Sequence, residues 1–569
     1  MAEPVNQAPV QVLAVIVLYK MQPSESAAFR SLQSSISDLA QGQSGIQVLL
    51  YDNTPGGCDP GPLPEGVQYE AAGQNTGISA AYNHALAIAR RERDSWLLIL
   101  DQDTTLPSDY LARMCKIAFE IEPDEKIAAI VPRMLDAGRA VSPVFIRFWG
   151  ASYLSRDFVG TGRREMQAIN SASLFRVSAL QQIGGFSPYF WLDYLDAYVF
   201  RHFRLHGLKV YVAGDIQVKH ELSLLHGGEL KADRYRNILR AESAFWDMYG
   251  GRVQGVVLTG RLLGRMWRQR KRGHGIAIRK LTWNEMKRRI SQSKTHRING
   301  WIREMERRIQ CIKGTGEGRS VFEERQAISV CMAAYNGERY IAAQLQSILS
   351  QLGEEDEVIV VDDASTDGTR EQVRSLQDGR IRLLEHSRNR GVAHTFEDAI
   401  RAASGQILFL ADQDDLWAAN KVSTVLRAFQ SFPDVDIVAS DAALIDENDA
   451  PIGSSYYAQR GKFRSGVLAN VFRCSYLGCT MAFRSRICAR ILPFPTGVDV
   501  LHDLWIGASN ALGGGKTLYI DRPLVLYRRH ESNATGNKRL TVARQIRIRW
   551  DLCRSLVSFW LHSNRFRGR

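Results

Sequence analysis

Short apolar runs alternate along the chain with longer amphipathic stretches. The runs VLAVIVLYK at residues 12–20 and ISVCMAAYN at 328–336 have the length of β-strands. The stretches at 77–91 and 392–403 place apolar side chains at helical spacing. Strands that alternate with helices predict βαβ units, in which helices cover a mostly parallel sheet.

The same series of patterns occurs twice. Five matching positions are separated by 316, 314, 311, 307 and 310 residues, in the order Tyr19 and Tyr335, Asn75 and Asn389, Asp103 and Asp414, Asp196 and Asp503, His220 and His530. Because all five pairs keep one order within a narrow range of separation, the sequence predicts a tandem duplication.

The 569 residues are enough for at least two domains. We expect a first domain at 10–250 and a second at 326–536. The segment 251–325 between them is predicted to be a basic helical linker, with Trp267, Trp283 and Trp301 among its Lys and Arg residues. Residues 537–569 are predicted to form a basic amphipathic tail.

Composition and charge exclude several classes of protein. The chain is 45% hydrophobic and 23% charged, which excludes a mainly disordered or fibrous protein. Of the net charge of +13, residues 260–313 contribute +14 and residues 538–569 contribute +8, so the remainder sums to −9. The predicted domains therefore lack the overall basicity of a nucleic-acid-binding surface. Basic segments outside the domains suit anionic lipid headgroups, and we expect a membrane surface as partner and no nucleic acid.

The remaining composition indicates the compartment. Eight cysteines show no CxxC pair, which predicts reduced thiols and neither a disulfide framework nor a zinc site. The N-terminus lacks the basic region of a signal peptide. No stretch approaches 18 uninterrupted apolar residues. We expect a cytoplasmic protein that is peripheral at the inner face of the cell membrane.

Acidic residues follow a buried strand in both copies, as Asp101-Gln-Asp103 and as Asp412-Gln-Asp414-Asp415. Open α/β sheets bind ligands at the carboxyl ends of their strands. Two carboxylates spaced i, i+2 can face one Mg²⁺ or Mn²⁺, which prefers oxygen ligands and shares them with phosphates. The alternative is an Asp-rich turn or helix cap, which recurrence in both copies disfavours.

Other polar residues occupy matching places. Asp52, Asp362 and Asp363 also follow buried strands and can accept hydrogen bonds from a nucleoside, although an aspartate of a β-turn is the competing interpretation. His220 and His530 follow a strand in each copy, which makes them candidate third metal ligands rather than ordinary structural histidines.

Asp196 and Asp503 stand in the apolar settings FWLDYLDAY and VLHDLW. Such settings raise the pKa of a carboxyl group and improve it as a general base. A buried aspartate that caps a helix is the alternative.

As an ordered set, these motifs resemble family 2 glycosyltransferases with the GT-A fold, especially the bacterial rhamnosyltransferase branch. The second copy carries MAAYN, VVDDASTDGT, LADQDDLW, YLGCTMAF, HDLW and YRRHESN. The first carries LYK, YDNT, QNTGIS, LDQDT, DYLDAY and VKHELS. The resemblance implies two Rossmann-like domains with mostly parallel sheets, joined by the basic helical segment.

The resemblance also implies roles for individual residues. Asp196 and Asp503 would be the catalytic bases. Asp103 with His220, and Asp414 with His530, would hold Mg²⁺ or Mn²⁺. The donor nucleotide would be bound by Tyr19, Asp52, Asn75, Asp101, Tyr335, Asp362, Asp363, Asn389 and Asp412.

The implied activity is that of a bifunctional inverting enzyme, in which each domain makes one linkage. A dTDP-β-L-rhamnose donor would give an α-L-rhamnoside on a growing cell-surface polysaccharide or lipid-linked glycan, and UDP-galactofuranose is another candidate donor. The first copy departs from its relatives at Tyr198 and Val199, and the second at Ala419, where a proline is usual.

Three other hypotheses remain open from the sequence. The first copy could be a glycan-binding module, in which case only the second is catalytic. The chain could be a metal-dependent nucleotidyltransferase, although it lacks a convincing phosphate loop. The basic linker could be a helical hairpin that packs between the domains.

Overall fold

The computed structural model describes residues 10–39, 44–147, 150–155, 157–162, 164–220, 232–272, 275–313, 326–467, 470, 475–495, 501–530 and 542–566. The chain divides into two compact units, Met1–Glu324 and Arg325–Arg569. Each unit contains a nine-stranded sheet, and the first contains a further three-stranded sheet.

The first unit alternates strands and helices as the sequence predicts. Its strands are β1 (Val10–Leu18), β2 (Ser44–Asp52), β3 (Val67–Ala71), β4 (Trp96–Asp101), β5 (Ile127–Asp136), β6 (Arg139–Ser142), β7 (Val144–Arg147), β8 (Gly150–Tyr153), β9 (Gly160–Thr161), β10 (Met166–Gln167), β11 (Ser173–Arg176) and β12 (Lys209–Lys219). Its helices are α1 (Ala27–Ser37), α2 (Ile78–Glu92), α3 (Tyr110–Glu120), α4 (Val177–Gln182), α5 (Leu195–Leu205), α6 (Ala232–Tyr249), α7 (Arg252–Lys271), α8 (Ile276–Ser291) and α9 (Lys294–Lys313).

The large sheet of the first unit has the order β3-β2-β1-β4-β11-β5-β12-β9, with β6 paired to β5. Strand β1 pairs in parallel with β2 and β4, whereas β11 is antiparallel to both of its neighbours. Strands β1 and β4 are buried along almost their whole length, because helices cover both faces of a parallel sheet. The smaller sheet has the order β10-β7-β8.

The second unit repeats this plan. Its strands are β13 (Ile328–Ala334), β14 (Glu357–Asp362), β15 (Ile381–Glu385), β16 (Ile407–Asp412), β17 (Leu416–Trp417), β18 (Val435–Ile445), β19 (Pro451–Gly453), β20 (Met481–Arg484) and β21 (Lys516–Arg528). Its helices are α10 (Ile341–Leu349), α11 (Thr369–Ser375), α12 (Val392–Ala402), α13 (Lys421–Ser431), α14 (Tyr456–Arg460), α15 (Cys488–Ile491), α16 (His502–Leu512) and α17 (Val542–Phe566).

The second sheet has the order β15-β14-β13-β16-β20-β18-β21-β17. Its first seven strands occupy the same places as β3, β2, β1, β4, β11, β5 and β12 of the first unit. The predicted fold class, two α/β domains with mostly parallel sheets, is therefore confirmed.

The repeated Asn-x-Gly motif has a backbone explanation. Gly77 precedes α2 and Gly391 precedes α12, with φ values of 81° and 87° that side-chain-bearing residues rarely adopt. At Gly77 a Cβ would also lie 2.4 Å from the Trp191 ring. The dihedral angle therefore requires glycine at both positions, and the close approach of Trp191 is a second reason at Gly77.

Helices α7, α8 and α9 belong to the first unit, whereas the sequence treats them as a linker. They pack with α6 and bury Leu258, Leu262, Met286 and Ile302. The reason is that each helix has an apolar face in addition to its basic residues, and that face packs against α6 and its neighbours.

A buried ion-pair network attaches this helical segment to α6. The Asp247 carboxylate accepts hydrogen bonds from the guanidinium groups of Arg289 and Arg297, at 2.8 to 3.2 Å. All three side chains are almost completely buried. Removing one partner of such a network leaves an uncompensated buried charge.

Helix α17 lies in the predicted basic amphipathic tail, and its inner side packs on the second unit. Ile548, Leu552 and Leu556 join the core around α16. In both units a long helix follows the strand that leads to the repeated histidine. Helix α6 follows β12 and His220, and α17 follows β21 and His530. Among the described residues, no helix is long and apolar enough to cross a membrane.

We expect Asp247→Asn to lower the stability of the first unit by about 3–5 kcal/mol, because Arg289 and Arg297 would lose their shared carboxylate. The measurement is the urea-induced unfolding transition, followed by circular dichroism. Asp233→Asn on the same helix is the control, because its ion pair with Arg236 is exposed and is worth about 0–1 kcal/mol. Equal effects of the two substitutions would contradict the prediction.

Candidate active sites

The carboxyl edge of the first sheet opens into a cavity of about 980 Å³. Loops after β1, β4 and β12 line this cavity together with helices α5, α6 and α7. The structure brings six predicted site residues of the first unit together around this cavity, namely Tyr19, Asn75, Asp101, Asp103, Asp196 and His220.

Asp101, Asp103 and His220 form a cluster at the sheet end. Each offers a ligand atom, and these atoms lie within 4.8 Å of one another. The His220 Nδ1 atom lies 3.7 Å from Asp103 Oδ1 and 3.1 Å from the Thr104 hydroxyl. Two carboxylates are hard oxygen donors that suit Mg²⁺ or Mn²⁺, and the imidazole nitrogen, a borderline donor, suits Mn²⁺ better than Mg²⁺.

Asp101 is held by two side chains that the sequence did not indicate. The Tyr82 hydroxyl donates to Asp101 Oδ1 at 3.2 Å, and the Asp101 backbone N–H donates to the Ser171 hydroxyl at 2.8 Å. Burial raises the pKa of Asp101, and the nearby Asp103 charge raises it further. The negative charge of these two carboxylates would therefore strongly favour the binding of a cation here.

Asp196 lies in the first turn of α5 and faces the same cavity. Burial raises the pKa of its carboxyl group to about 7, and the charge of Asp101 contributes to the rise. The Asn170 backbone N–H donates to Asp196 Oδ1 at 3.3 Å. Tyr194, two residues earlier, has a left-handed φ of 64°. This strained turn is packed against Phe245 of α6.

The second unit builds a related cluster at the end of β16. The His530 Nε2 atom lies 2.8 Å from Asp414 Oδ2, so the predicted metal pair is in contact. Burial raises the pKa of Asp412 to about 7, with the Asp414 and Asp503 charges adding to it. Burial also raises the pKa of Asp503, the predicted base in the first turn of α16, to about 6.

The glutamine between the two acids has the same function in each unit. Tyr19 N–H donates to Gln102 Oε1, and Tyr335 N–H donates to Gln413 Oε1, both at 2.8 Å. These bonds fix the loop after β1 or β13 against the loop after β4 or β16. The sequence contained this signal, because the glutamine recurs in both motifs.

The predicted nucleoside-binding acids differ in how their oxygens are used. Asp52 is buried, and its oxygens accept from Thr54 N–H, Cys58 N–H and the Tyr69 hydroxyl, at 2.7 to 2.8 Å. Asp363 accepts from His386 and from two backbone N–H groups. In Asp362, by contrast, Oδ1 is buried and has no hydrogen-bond partner.

Burial alone would raise the pKa of Asp52, but its hydrogen bonds lower the net value. Asp363 shows the same balance, with the pKa lowered chiefly by the His386 hydrogen bond. Both groups are therefore charged carboxylates, and they stabilise nearby loops by accepting hydrogen bonds from the backbone of those loops.

The remaining predicted nucleotide-binding residues are at the surface. Tyr19 and Tyr335 are exposed at the ends of β1 and β13. Asn75 lines the cavity and accepts from the Gly77 N–H at 3.0 Å. Asn389 is exposed two residues before Gly391.

A second group of potential ligand atoms in the second unit consists of Asp412, Asp415 and Cys479. Buried Lys421 donates to the Cys479 carbonyl at 2.7 Å beside this group. Because thiolate is a soft ligand and a lysine already compensates the carboxylates, this group does not fit Mg²⁺ or Mn²⁺ as well as Asp414 and His530 do.

The departures of the first copy at Tyr198 and Val199 lie in its core. Both side chains are buried, and Tyr198 packs against Phe190, His202 and Tyr249. Neither lines the cavity, where Ala197 and Phe200 of α5 are found instead. In the second unit Ala419 is exposed.

Comparisons with known proteins agree with this architecture. The family model described as Glycosyl transferase family 2 matches residues 52–184 and 329–490, which together make up more than half of the chain.

Similar proteins include an uncharacterized glycosyltransferase of Nostoc sp., 28% identical over 219 residues, or 36% of this chain and 66% of the relative. Two UDP-Glc:alpha-D-GlcNAc-diphosphoundecaprenol beta-1,3-glucosyltransferases of Escherichia coli are also similar. WfgD is 39% identical over 17% of this chain and 38% of its own length. WfaP is 25% identical over 39% of this chain and 85% of its own length. The chain thus spans less than two thirds of the first two relatives.

Among solved structures, Staphylococcus aureus TarS 1-349 in complex with UDP-GlcNAc matches at 19% identity and a TM-score of 0.32, covering 38% of this chain and 62% of that one. The mannosyltransferase PcManGT from Pyrobaculum calidifontis, in complex with GDP-Man and Mn²⁺, matches at 25% identity and a TM-score of 0.28, covering 37% and 58%.

Proposed function

This chain belongs to glycosyl transferase family 2, and from that premise we propose that each of its units transfers one sugar, with inversion, from a nucleotide donor to a glycan. The observation that carries the proposal is the cavity of the first unit. There a carboxyl group with a raised pKa, Asp196, shares one space with Asp101, Asp103 and His220.

In the proposed reaction, an acceptor hydroxyl attacks C1 of the donor sugar as Asp196 removes its proton. The new bond joins the acceptor oxygen to C1, and the bond from C1 to the diphosphate oxygen breaks. The electron pair leaves with the nucleoside diphosphate. Asp103 and His220 would hold Mg²⁺ or Mn²⁺, which when bound stabilises the charge of this leaving group.

The second unit offers the same roles in Asp503, Asp414 and His530. The contact between Asp414 and His530 and the raised pKa of Asp503 support this assignment. Asp362 is the group we assign to the donor nucleoside, because its buried Oδ1 lacks a partner and can accept an N–H from a base. The two units would then make two linkages on one growing glycan.

For the donor we propose dTDP-β-L-rhamnose, with UDP-galactofuranose as the alternative. The support is the resemblance of the ordered motifs to the rhamnosyltransferase branch.

For the acceptor we propose a lipid-linked glycan of a bacterial surface polysaccharide. The Escherichia coli relatives are named for a diphosphoundecaprenol-linked acceptor.

We further propose that the enzyme works at an anionic membrane surface, with lipid headgroups as its partner. The exposed face of α7 carries Val256, Leu263 and Trp267, and that of α17 carries Ile546 and Trp550. Trp267 is 65% exposed and Trp550 is 70% exposed. Exposed tryptophan among basic residues is typical of a membrane-interface helix.

One observation favours a second candidate, in which the first unit binds a glycan without transferring a sugar. Its Asp52 has both oxygens engaged within the chain, whereas Asp362 of the second unit has one oxygen without a partner. The next experiment distinguishes the two candidates.

We expect release of nucleoside diphosphate from dTDP-rhamnose, with Mn²⁺ and a synthetic rhamnosyl-lipid acceptor, to have two independent components. Asp196→Asn and Asp503→Asn should each lower the rate of one component about 100- to 10,000-fold, because each removes one general base. Product analysis by mass spectrometry identifies which linkage is lost. If Asp196→Asn leaves the rate and the products unchanged, the first unit is a binding module. If the wild-type protein transfers no sugar from any nucleotide sugar, the proposed glycosyltransferase activity is wrong.

The two sites should differ in pH dependence. A general base must be deprotonated to accept a proton, so each rate should rise with pH through the pKa of its carboxyl group. In Asp503→Asn, which retains the first site, kcat/KM should be half-maximal near pH 7. In Asp196→Asn it should be half-maximal near pH 6. Coincident profiles, or rates that fall across this range, would refute the assignment of the bases.

We expect wild-type protein to float with vesicles of phosphatidylcholine and phosphatidylserine, and less so at high salt. Trp267→Glu and Trp550→Glu should each reduce the bound fraction, because a charge replaces an interfacial ring. Tyr153→Glu is the control, since Tyr153 is equally exposed but belongs to β8. Deletion of 538–569 is less suitable, because α17 also packs on the second core. Equal flotation of all variants would contradict membrane binding through these faces.

A further inference from the structure

The cavity of the first unit extends beyond Asp196 to a wall that the family match does not include. Trp246 of α6, and Gln254 and Arg261 of α7, line this end. All three follow residue 184, where the first matched segment ends. Gln254 and Arg261 of this wall belong to the segment 251–325 that the sequence suggested to be a linker, and Trp246 belongs to the end of the predicted first domain.

Three arginines line the cavity, and two of them already have carboxylate partners. Arg201 pairs with Glu165 at 2.6 Å, and Arg234 pairs with Asp193. Within the part of the chain that the structure describes, no ion pair or hydrogen bond is formed by Arg261.

The surroundings of Arg261 leave its guanidinium group facing the cavity. Its Cζ atom lies 6.0 Å from the centroid of the Trp246 ring. On the β8 side the neighbour is Gly150, where a Cβ would lie 3.8 Å from Arg261 Nη2. An aromatic ring and a glycine thus border this half-buried cation, and the carboxylate of Glu242, which also lines the cavity, is already paired with Arg265. A guanidinium group in such a place binds a phosphate or carboxylate well, because its N–H groups match two oxygens at once.

We infer that Arg261 binds an anionic group of the acceptor, a phosphate or carboxylate, where α6 and α7 line the cavity. This inference rests on the proposed function, because it assigns this part of the cavity to the acceptor. The anion could be the diphosphate of a lipid-linked glycan or the carboxylate of an acidic sugar.

The position of Arg261 on α7 favours the diphosphate. Val253, Val256, Leu263 and Trp267 recur at spacings of three, seven and four residues and share the exposed face of α7. Arg261 lies on another face, seven residues from Gln254, which also lines the cavity. The helix therefore separates the proposed lipid-facing side from the cavity. A diphosphate that joins a lipid to a sugar would have to pass this helix.

The test measures binding by calorimetry in EDTA, so that no divalent ion recruits the ligand to the metal cluster. The probes are farnesyl diphosphate, farnesol and methyl glucuronide. Arg261→Gln should weaken binding of at least one anionic probe tenfold or more and leave farnesol binding unchanged. Arg261→Lys should retain part of the affinity, because it keeps the charge but not the planar group.

Arg268→Gln is the matched control, because Arg268 is exposed on the same helix. Loss confined to farnesyl diphosphate identifies a phosphate, and loss confined to the glucuronide identifies an acidic sugar. Equal affinity of Arg261→Gln and wild type for both anions, or no binding of either by wild type, overturns the inference. If wild type binds an anion through Arg261 but transfers no sugar, the proposed function fails while the anion site stands.

Discussion

Each candidate site depends on a carboxylate that ends a strand buried on both faces. Asp101 ends β4 and Asp412 ends β16, and each strand pairs in parallel with the first strand of its unit. A carboxylate in such a place is poorly hydrated, so burial raises its pKa. The charge can persist only with donors or a cation beside it. The hydrogen bonds, the neighbouring base and the proposed metal pair all follow from this constraint.

The two units meet the constraint differently. In the first, neutral Thr104, Tyr110 and Ser171 surround the acids. At the matching places of the second stand Asp415, Lys421 and Cys479. Tyr110 and Lys421 each donate to a backbone carbonyl of the strand-entry loop, at 2.6 and 2.7 Å. At these three places the second unit therefore has a buried carboxyl group, a buried amine and a buried thiol, whereas the first has only neutral hydroxyl groups. Two copies with one topology thus provide different electrostatic settings for similar acids.

Helix α6 connects the site of the first unit to the helices that follow it. On one side, Tyr249 packs on Tyr198 of α5, and Phe245 packs on Tyr194 beside the base. On the other side, buried Asp247 holds two arginines of α8 and α9. This network attaches α8 and α9 to α6, and α7, which lines the cavity, packs against both α6 and α8.

In the second unit the corresponding helix has an apolar outer face. Ile546, Trp550 and Val557 of α17 are exposed, and the matching positions in α6 are Arg236, Arg240 and Asp247. Arg240 and Asp247 of α6 form ion pairs with α8 and α9, whereas Arg236 is exposed and the apolar residues of α17 face outward. The same repeated helix thus serves an internal interface in one unit and an exposed surface in the other.

The sequence alone determined the features that depend on local pattern. Periodicity predicted the parallel sheets, and recurrence identified Asp101, Asp103, Asp196 and His220 as partners, because strands of one sheet end at one edge. Recurrence could not tell which oxygens of Asp52, Asp362 and Asp363 are used by the chain itself. That depends on the path of the loops around these acids, which decides which N–H and O–H groups reach each oxygen.

Only the tertiary structure decided where the basic segments pack. Their charge suggested a linker and a tail, but Asp247 on α6 and the apolar faces of α7 to α9 and α17 attach them to the two cores. Charge counts do not show which face of a helix is buried, since that depends on what packs against it. For the same reason Arg261, one of many arginines in a basic run, became distinct only when its neighbours in space proved to be a tryptophan and a glycine rather than a carboxylate.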